Sequence, residues 1–144
     1  MRYVSFAAIA ALCLALSCAA PAASPGQPAN AEMEAFIGNA IVLSPDVPAT
    51  VMLGGEFAIV LKENPSAGYQ WSYSIMPAEL ARETAKESFS TATKPMMVGA
   101  PVFTVWKFRA DAGGEAVFTY LYYRPWEKPE TAVERKVFKV TIVR

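Results

Sequence analysis

Histidine is absent from the 144 residues, and cysteine occurs only at Cys13 and Cys18. The missing imidazole removes Ser-His and Cys-His nucleophile pairs, histidine metal sites and any switch that titrates imidazole near neutral pH. Net charge is missing too, because 13 basic side chains balance 13 acidic ones. Nucleic acid is therefore not an expected partner, since its binding rests on neutralised phosphates. Glu79, Glu83 and Glu87 alternate with Arg82 and Lys86. That is the pattern of a solvated face and not of a catalytic carboxylate pair. No enzyme, cofactor or metal is implied.

What the chain does hold is sorted along its length. One domain of ordinary size fits in 144 residues. Arg2 is followed by an apolar stretch over 3–16 and a small-residue run over 17–24, the pattern of an export signal. Pro21 spoils the end of a membrane-spanning helix. The run Leu14-Ala15-Leu16-Ser17-Cys18 resembles a bacterial lipobox, with Ala15 where that pattern prefers Leu. It implies a signal peptide over 1–17 and lipidation of Cys18; an ordinary cut after Ala22 is the other reading. Either cut exports the protein to the periplasm or outer surface. The lipid would then be its one contact with the membrane, at about 0.8 kcal/mol per buried CH2. Residues 18–36, rich in Ala, Pro, Ser and Gly, read as a flexible tether. The folded domain is expected over 37–144.

Within that domain large apolar residues recur at every second position in short runs. Phe57, Ile59 and Leu61 form one such series, and Trp71, Tyr73 and Ile75 a second. Others are Trp106 with Phe108, then Phe118, Tyr120 and Tyr122, then Phe138, Val140 and Ile142. Weaker runs lie at 41–43, 50–53 and 87–91. Period-2 runs of this length, broken by Gly54-Gly55 and Gly113-Gly114, predict an all-β protein, an antiparallel β-sandwich of about seven or eight strands. Only 77–85 reads as helical. Trp71 is expected in the core.

Three connections carry residues unusual for plain turns. In Asn64-Pro65-Ser66-Ala67-Gly68-Tyr69, Pro65 fixes its own φ and holds Asn64 extended, while Gly68 can adopt a positive φ. The Ser66-Ala67 tip is thereby held stiff. The segment Pro95-Met96-Met97-Val98-Gly99-Ala100-Pro101 presents flexible apolar side chains of the kind that mark binding surfaces. Arg124-Pro125-Trp126, between the last two strands, has the composition of interface hot spots. Trp126 is expected to meet a partner. Arg124 meets the partner too or stacks on Tyr122 or Tyr123 and supports the loop from behind.

Together these segments resemble the chagasin-like family of cysteine peptidase inhibitors, recognised by N-P-T-T-G-[FY]-x-W, G-x-G-G and R-P-W-x in that order. The matching residues are Asn64-Pro65-Ser66-Ala67-Gly68-Tyr69-Gln70-Trp71, Gly99-Ala100-Pro101-Val102 and Arg124-Pro125-Trp126-Glu127. Ala67 stands where the family has its second Thr, and Pro101 and Val102 replace both later glycines. The resemblance implies an immunoglobulin-like sandwich and a monomer that acts reversibly, without covalent chemistry, on papain-like cysteine peptidases. By similarity, Asn64, Pro65, Ser66, Ala67 and Gly68 enter the catalytic cleft, with Ser66 near the nucleophilic thiolate. Met97, Val98, Gly99 and Ala100 would clamp one side, and Arg124, Pro125 and Trp126 the other. The alternative is a non-inhibitory envelope module that turns the same loops toward another protein or a glycan.

Overall fold

The computed structural model describes residues 28–90 and 101–144. A helix, α1 (Pro28–Ile37), precedes the strands β1 (Ile41–Val42), β2 (Ala49–Met52), β3 (Glu56–Glu63), β4 (Gln70–Met76), β5 (Ala81–Ser90), β6 (Val102–Ala110), β7 (Gly114–Tyr123) and β8 (Glu134–Val143). They form two four-stranded sheets, in the orders β1-β3-β6-β5 and β2-β8-β7-β4. All pairings among the long strands are antiparallel, whereas the short edge strands β1 and β2 run parallel to β3 and β8. The expected immunoglobulin-like β-sandwich is what forms.

The alternating residues meet between the sheets. Phe57, Ile59 and Leu61 from β3 and Trp106 and Phe108 from β6 face Trp71 from β4, Phe118 and Tyr120 from β7, and Phe138, Val140 and Ile142 from β8. Several of the rings pack edge on, among them Trp106 and Tyr120 at 5.1 Å between centroids and Phe108 and Phe118 at 4.9 Å. Such geometry sets the positive ring edge against the negative face. The Tyr120 hydroxyl is the one buried side-chain polar atom without a hydrogen-bond partner among the described residues.

Two sequence expectations are corrected. The stretch 77–85 is not helical: a single 3-10 turn at Ala78–Leu80 leads straight into the ten-residue strand β5. The charges there do lie on a solvated face, but it is that of a strand: β5 is a sheet edge, buried only at Ala81 and Phe89. A strand that buries so little has no period-2 signature, and its Arg82, Glu83, Lys86 and Glu87 guard the edge against pairing with other chains. A register shift between Glu83 and Ala85 adds to that protection.

The second correction concerns the segment expected to be tether, whose last nine residues, 28–36, are helical. Pro28 stands at the first position, where it is tolerated, and Gly38 closes the helix at φ +59, donating its N–H to the Glu34 carbonyl at 2.9 Å. Met33, Phe36 and Ile37, spaced i, i+3, i+4, pack onto Ala58, Val105 and Phe89 on the outer face of the β3-β6-β5 sheet. Phe36 meets Phe89 at 5.6 Å and lies under the Lys107 ammonium. Ala58 and Val105, on the face of this sheet turned away from the inter-sheet core, are therefore fully buried. The ordered domain begins at least nine residues earlier than the position-37 boundary drawn from composition.

Candidate functional site

At one end of the sandwich the register places Glu63 beside Val102, Ser90 beside Val102, Gln70 beside Tyr123 and Tyr122 beside Glu134. The β3-β4, β5-β6 and β7-β8 connections thus leave from the same end. These are the three segments singled out in the sequence. Met97, Val98, Gly99 and Ala100 lie outside the described residues, as do Cys18 and the remainder of 1–27.

The first loop is a single 3-10 turn, Pro65–Ala67. Asn64 caps it: its backbone is extended, its side-chain oxygen accepts from the Ser66 N–H at 3.2 Å, and its carbonyl accepts from Ala67 at 3.1 Å. Gly68 ends it at φ +76, with its N–H on the Pro65 carbonyl at 3.0 Å. The Ser66, Ala67 and Gly68 N–H groups are thus all bonded within the turn, and Pro65, Ser66 and Ala67 stand exposed at the tip.

Both roots of that loop are tied to the core. Glu63, just before it, accepts from the fully buried Thr104 hydroxyl at 2.5 Å, and Thr104 also meets Ser88 at 2.8 Å. Trp71, just after it, is 5% exposed and donates its indole N–H to the Lys62 carbonyl at 3.0 Å. This core tryptophan therefore bridges the two strands that carry the loop.

The third loop is folded onto the first. Trp126 is 72% exposed, yet its ring lies over Gly68, where a methyl group would come within 2.8 Å of Cη2. Arg124 stacks on Tyr69, at 4.7 Å from guanidinium carbon to ring centroid, and pairs with Glu127 at 3.4 Å. Of the two stacking partners expected for Arg124, Tyr122 and Tyr123, neither is the one used. Alternation along β7 could not reveal Tyr69, which comes from a different loop. Thr131 and Arg124 both bond Glu127, and the Glu127 N–H returns to the Arg124 carbonyl at 2.8 Å, so this loop also closes on itself.

Sequence reasoning missed Tyr122. Its hydroxyl accepts the Asn64 N–H at 2.9 Å, and its ring stacks on Trp71 at 4.7 Å and against Tyr69 at 5.3 Å. Position 122 stands in the sequence as an alternating strand residue and a candidate stacking partner of Arg124, and neither reading points to its bond with Asn64 or its stacking on Trp71.

Two stiff loops braced side by side at the end of an immunoglobulin-like sandwich define a protein-binding module built to present a ridge. The ridge offers a hydroxyl at Ser66 and a broad apolar surface at Trp126. Residues 50–142 match the family described as Chagasin family peptidase inhibitor I42. The chain belongs to the chagasin family of cysteine peptidase inhibitors.

Two solved structures agree in fold. The cysteine protease inhibitor EhICP2 from Entamoeba histolytica superposes with a TM-score of 0.62 at 23% identity, over 71% of this chain and 94% of that one. Amebosin, determined in solution, gives 0.55 at 23% identity over 74% and 98%. PbICP-C, solved in complex with falcipain-2, gives 0.49 at 20% identity over 72% and 89%. No curated protein matches the chain in sequence.

Proposed function

We propose that this protein inhibits papain-like cysteine peptidases reversibly by inserting its first loop into the active-site cleft. Ser66 would sit near the catalytic thiolate, and Trp126 would bury its exposed ring against the adjacent wall. The observation that carries the reading is the capped Asn64 to Gly68 turn, stiff and exposed at once. A tip already ordered in the free protein loses little conformational entropy on binding, and an exposed indole supplies the apolar area of a hot spot. The inhibitor contributes no reacting group of its own, so occupancy alone blocks the peptidase and the complex dissociates intact. Interfaces of this class bury about 1,600 Å² in total, within reach of loops from one sandwich end.

Titration of papain with residues 28–144, which hold both sheets and α1, tests this directly. Full inhibition that is relieved on dilution is expected. No inhibition at micromolar protein sinks the proposal.

The N-terminal reading belongs to the same proposal. Export and diacylation at Cys18 would hold the inhibitor, as a monomer, at a bacterial envelope facing peptidases outside the cell. Expressed from its own start, the chain is expected in the membrane fraction, and C18S in the soluble one. Equal partition of the two would remove the lipid.

A further inference from the structure

We infer that Tyr122 is a positioning residue that makes the first and third loops one preassembled unit. Its consequence for inhibition rests on the cleft-blocking reading above, whereas its premise rests on the contacts themselves.

Three alternate residues of one segment hold three positions of the first loop. Tyr122 takes the Asn64 N–H on its hydroxyl at the start of the loop, Arg124 covers Tyr69 at its end, and Trp126 lies on Gly68 between them. Tyr122 is the fixed point of this set. It sits in the β7 ladder directly opposite Trp71, with its ring stacked on the indole that itself bonds Lys62. Arg124 and Trp126 lie beyond the end of β7 and inherit their placement from it. Because Asn64 also caps the turn, a shift at its N–H propagates to the Ser66 and Ala67 amides, which bond Asn64.

The purpose of such a brace is a set spacing between the Ser66 tip and the Trp126 ring. A loop pair fixed before encounter binds with little reordering, and it accepts only clefts of matching width. Tyr122 thereby governs association and selectivity without touching the peptidase itself.

The variant Tyr122→Phe keeps the stacked ring and removes only the hydroxyl, so the full chain folds with a nearly unchanged melting temperature. In the free protein, amide exchange at Asn64 should accelerate, order parameters at Ser66 and Ala67 should fall from about 0.85 toward 0.6, and the Trp126 indole N–H resonance should move. Against papain the association rate constant should drop about threefold to tenfold, the scale of one lost hydrogen bond, with a smaller change in dissociation. Unchanged Ser66, Ala67 and Trp126 signals overturn the inference, and so does an affinity loss that merely tracks a fall in melting temperature. If the unaltered protein fails to inhibit papain, the proposed function fails, while the free-protein signals still decide the role of Tyr122.

Discussion

Replacing Gly68 with alanine tests whether Trp126 works through its seat on the first loop. The new methyl would stand 2.8 Å from Trp126 Cη2, closer than Cβ atoms come to other heavy atoms, and the backbone there is at φ +76. Left-handed backbone costs a non-glycine residue about 1–2 kcal/mol, partly offset by the stiffer unfolded chain. The ring is mostly solvent-exposed, so it swings outward at little cost to the fold. Stability should therefore fall by only about 1 kcal/mol. Binding should fall further, because a displaced hot-spot tryptophan forfeits about 2 kcal/mol, close to thirtyfold in affinity.

A double-mutant cycle on papain inhibition isolates the effect. Gly68→Ala and Trp126→Ala should each weaken inhibition tenfold or more, about 1.4 kcal/mol, whereas Gly68→Ala added to Trp126→Ala should cost little, since no ring remains to be displaced. Additivity within about 0.5 kcal/mol, the behaviour of independent sites, would refute the coupling. Full inhibition by Gly68→Ala alone would show that the ring position is immaterial.

Other expectations concern the frame. Tyr120→Phe removes the buried hydroxyl that lacks a partner, so it should stabilise the domain by about 1 kcal/mol, near 4 °C in melting temperature; a lower melting temperature would mean the hydroxyl is satisfied in solution. Phe36→Ala strips a half-buried ring from Phe89 and should cost about 2 kcal/mol in chemical denaturation, whereas an unchanged midpoint would return α1 to the tether. Burial raises the Tyr73 phenol well above its ordinary value near 10, helped by its hydrogen bond to Glu83 and that carboxylate's charge, and burial likewise raises Tyr120, with Tyr73 and Glu83 adding to it. The folded state then keeps protons that the unfolded chain releases, so stability is complete below pH 10 and declines above it. Ultraviolet titration should find these two tyrosines ionising only with unfolding; ionisation near pH 10 in the folded protein would contradict the burial.

Much of the frame was legible because buried strands advertise themselves. The runs through Phe57, Trp71, Trp106, Tyr120 and Phe138 place large apolar residues at every second position, and each proved to face the space between the sheets. What escaped was structure whose stabilising contacts lie elsewhere in the chain. β5 buries only its two ends, so its charges imitate an exposed helix. The i, i+3, i+4 spacing of Met33, Phe36 and Ile37 and the Gly38 cap were present in the sequence, but they count as a helix only once the outer face around Ala58 and Val105 needs a cover. Isolated, ten residues are too few to hold a helix in water.

The same division runs through the site. Local covalent constraints determined the first loop, because Asn-Pro before and Gly after a short tip restrict the backbone whatever surrounds them. From the sequence alone came the strand pattern, the stiffness of that tip and the family motifs that frame it. Tertiary structure alone decided that Arg124 covers Tyr69, that Trp126 rests on Gly68, and that Tyr122 holds Asn64 across 58 residues of chain. Periodicity reports only which face of its own element a residue occupies, whereas these contacts join different loops and exist only after β4 and β7 have paired.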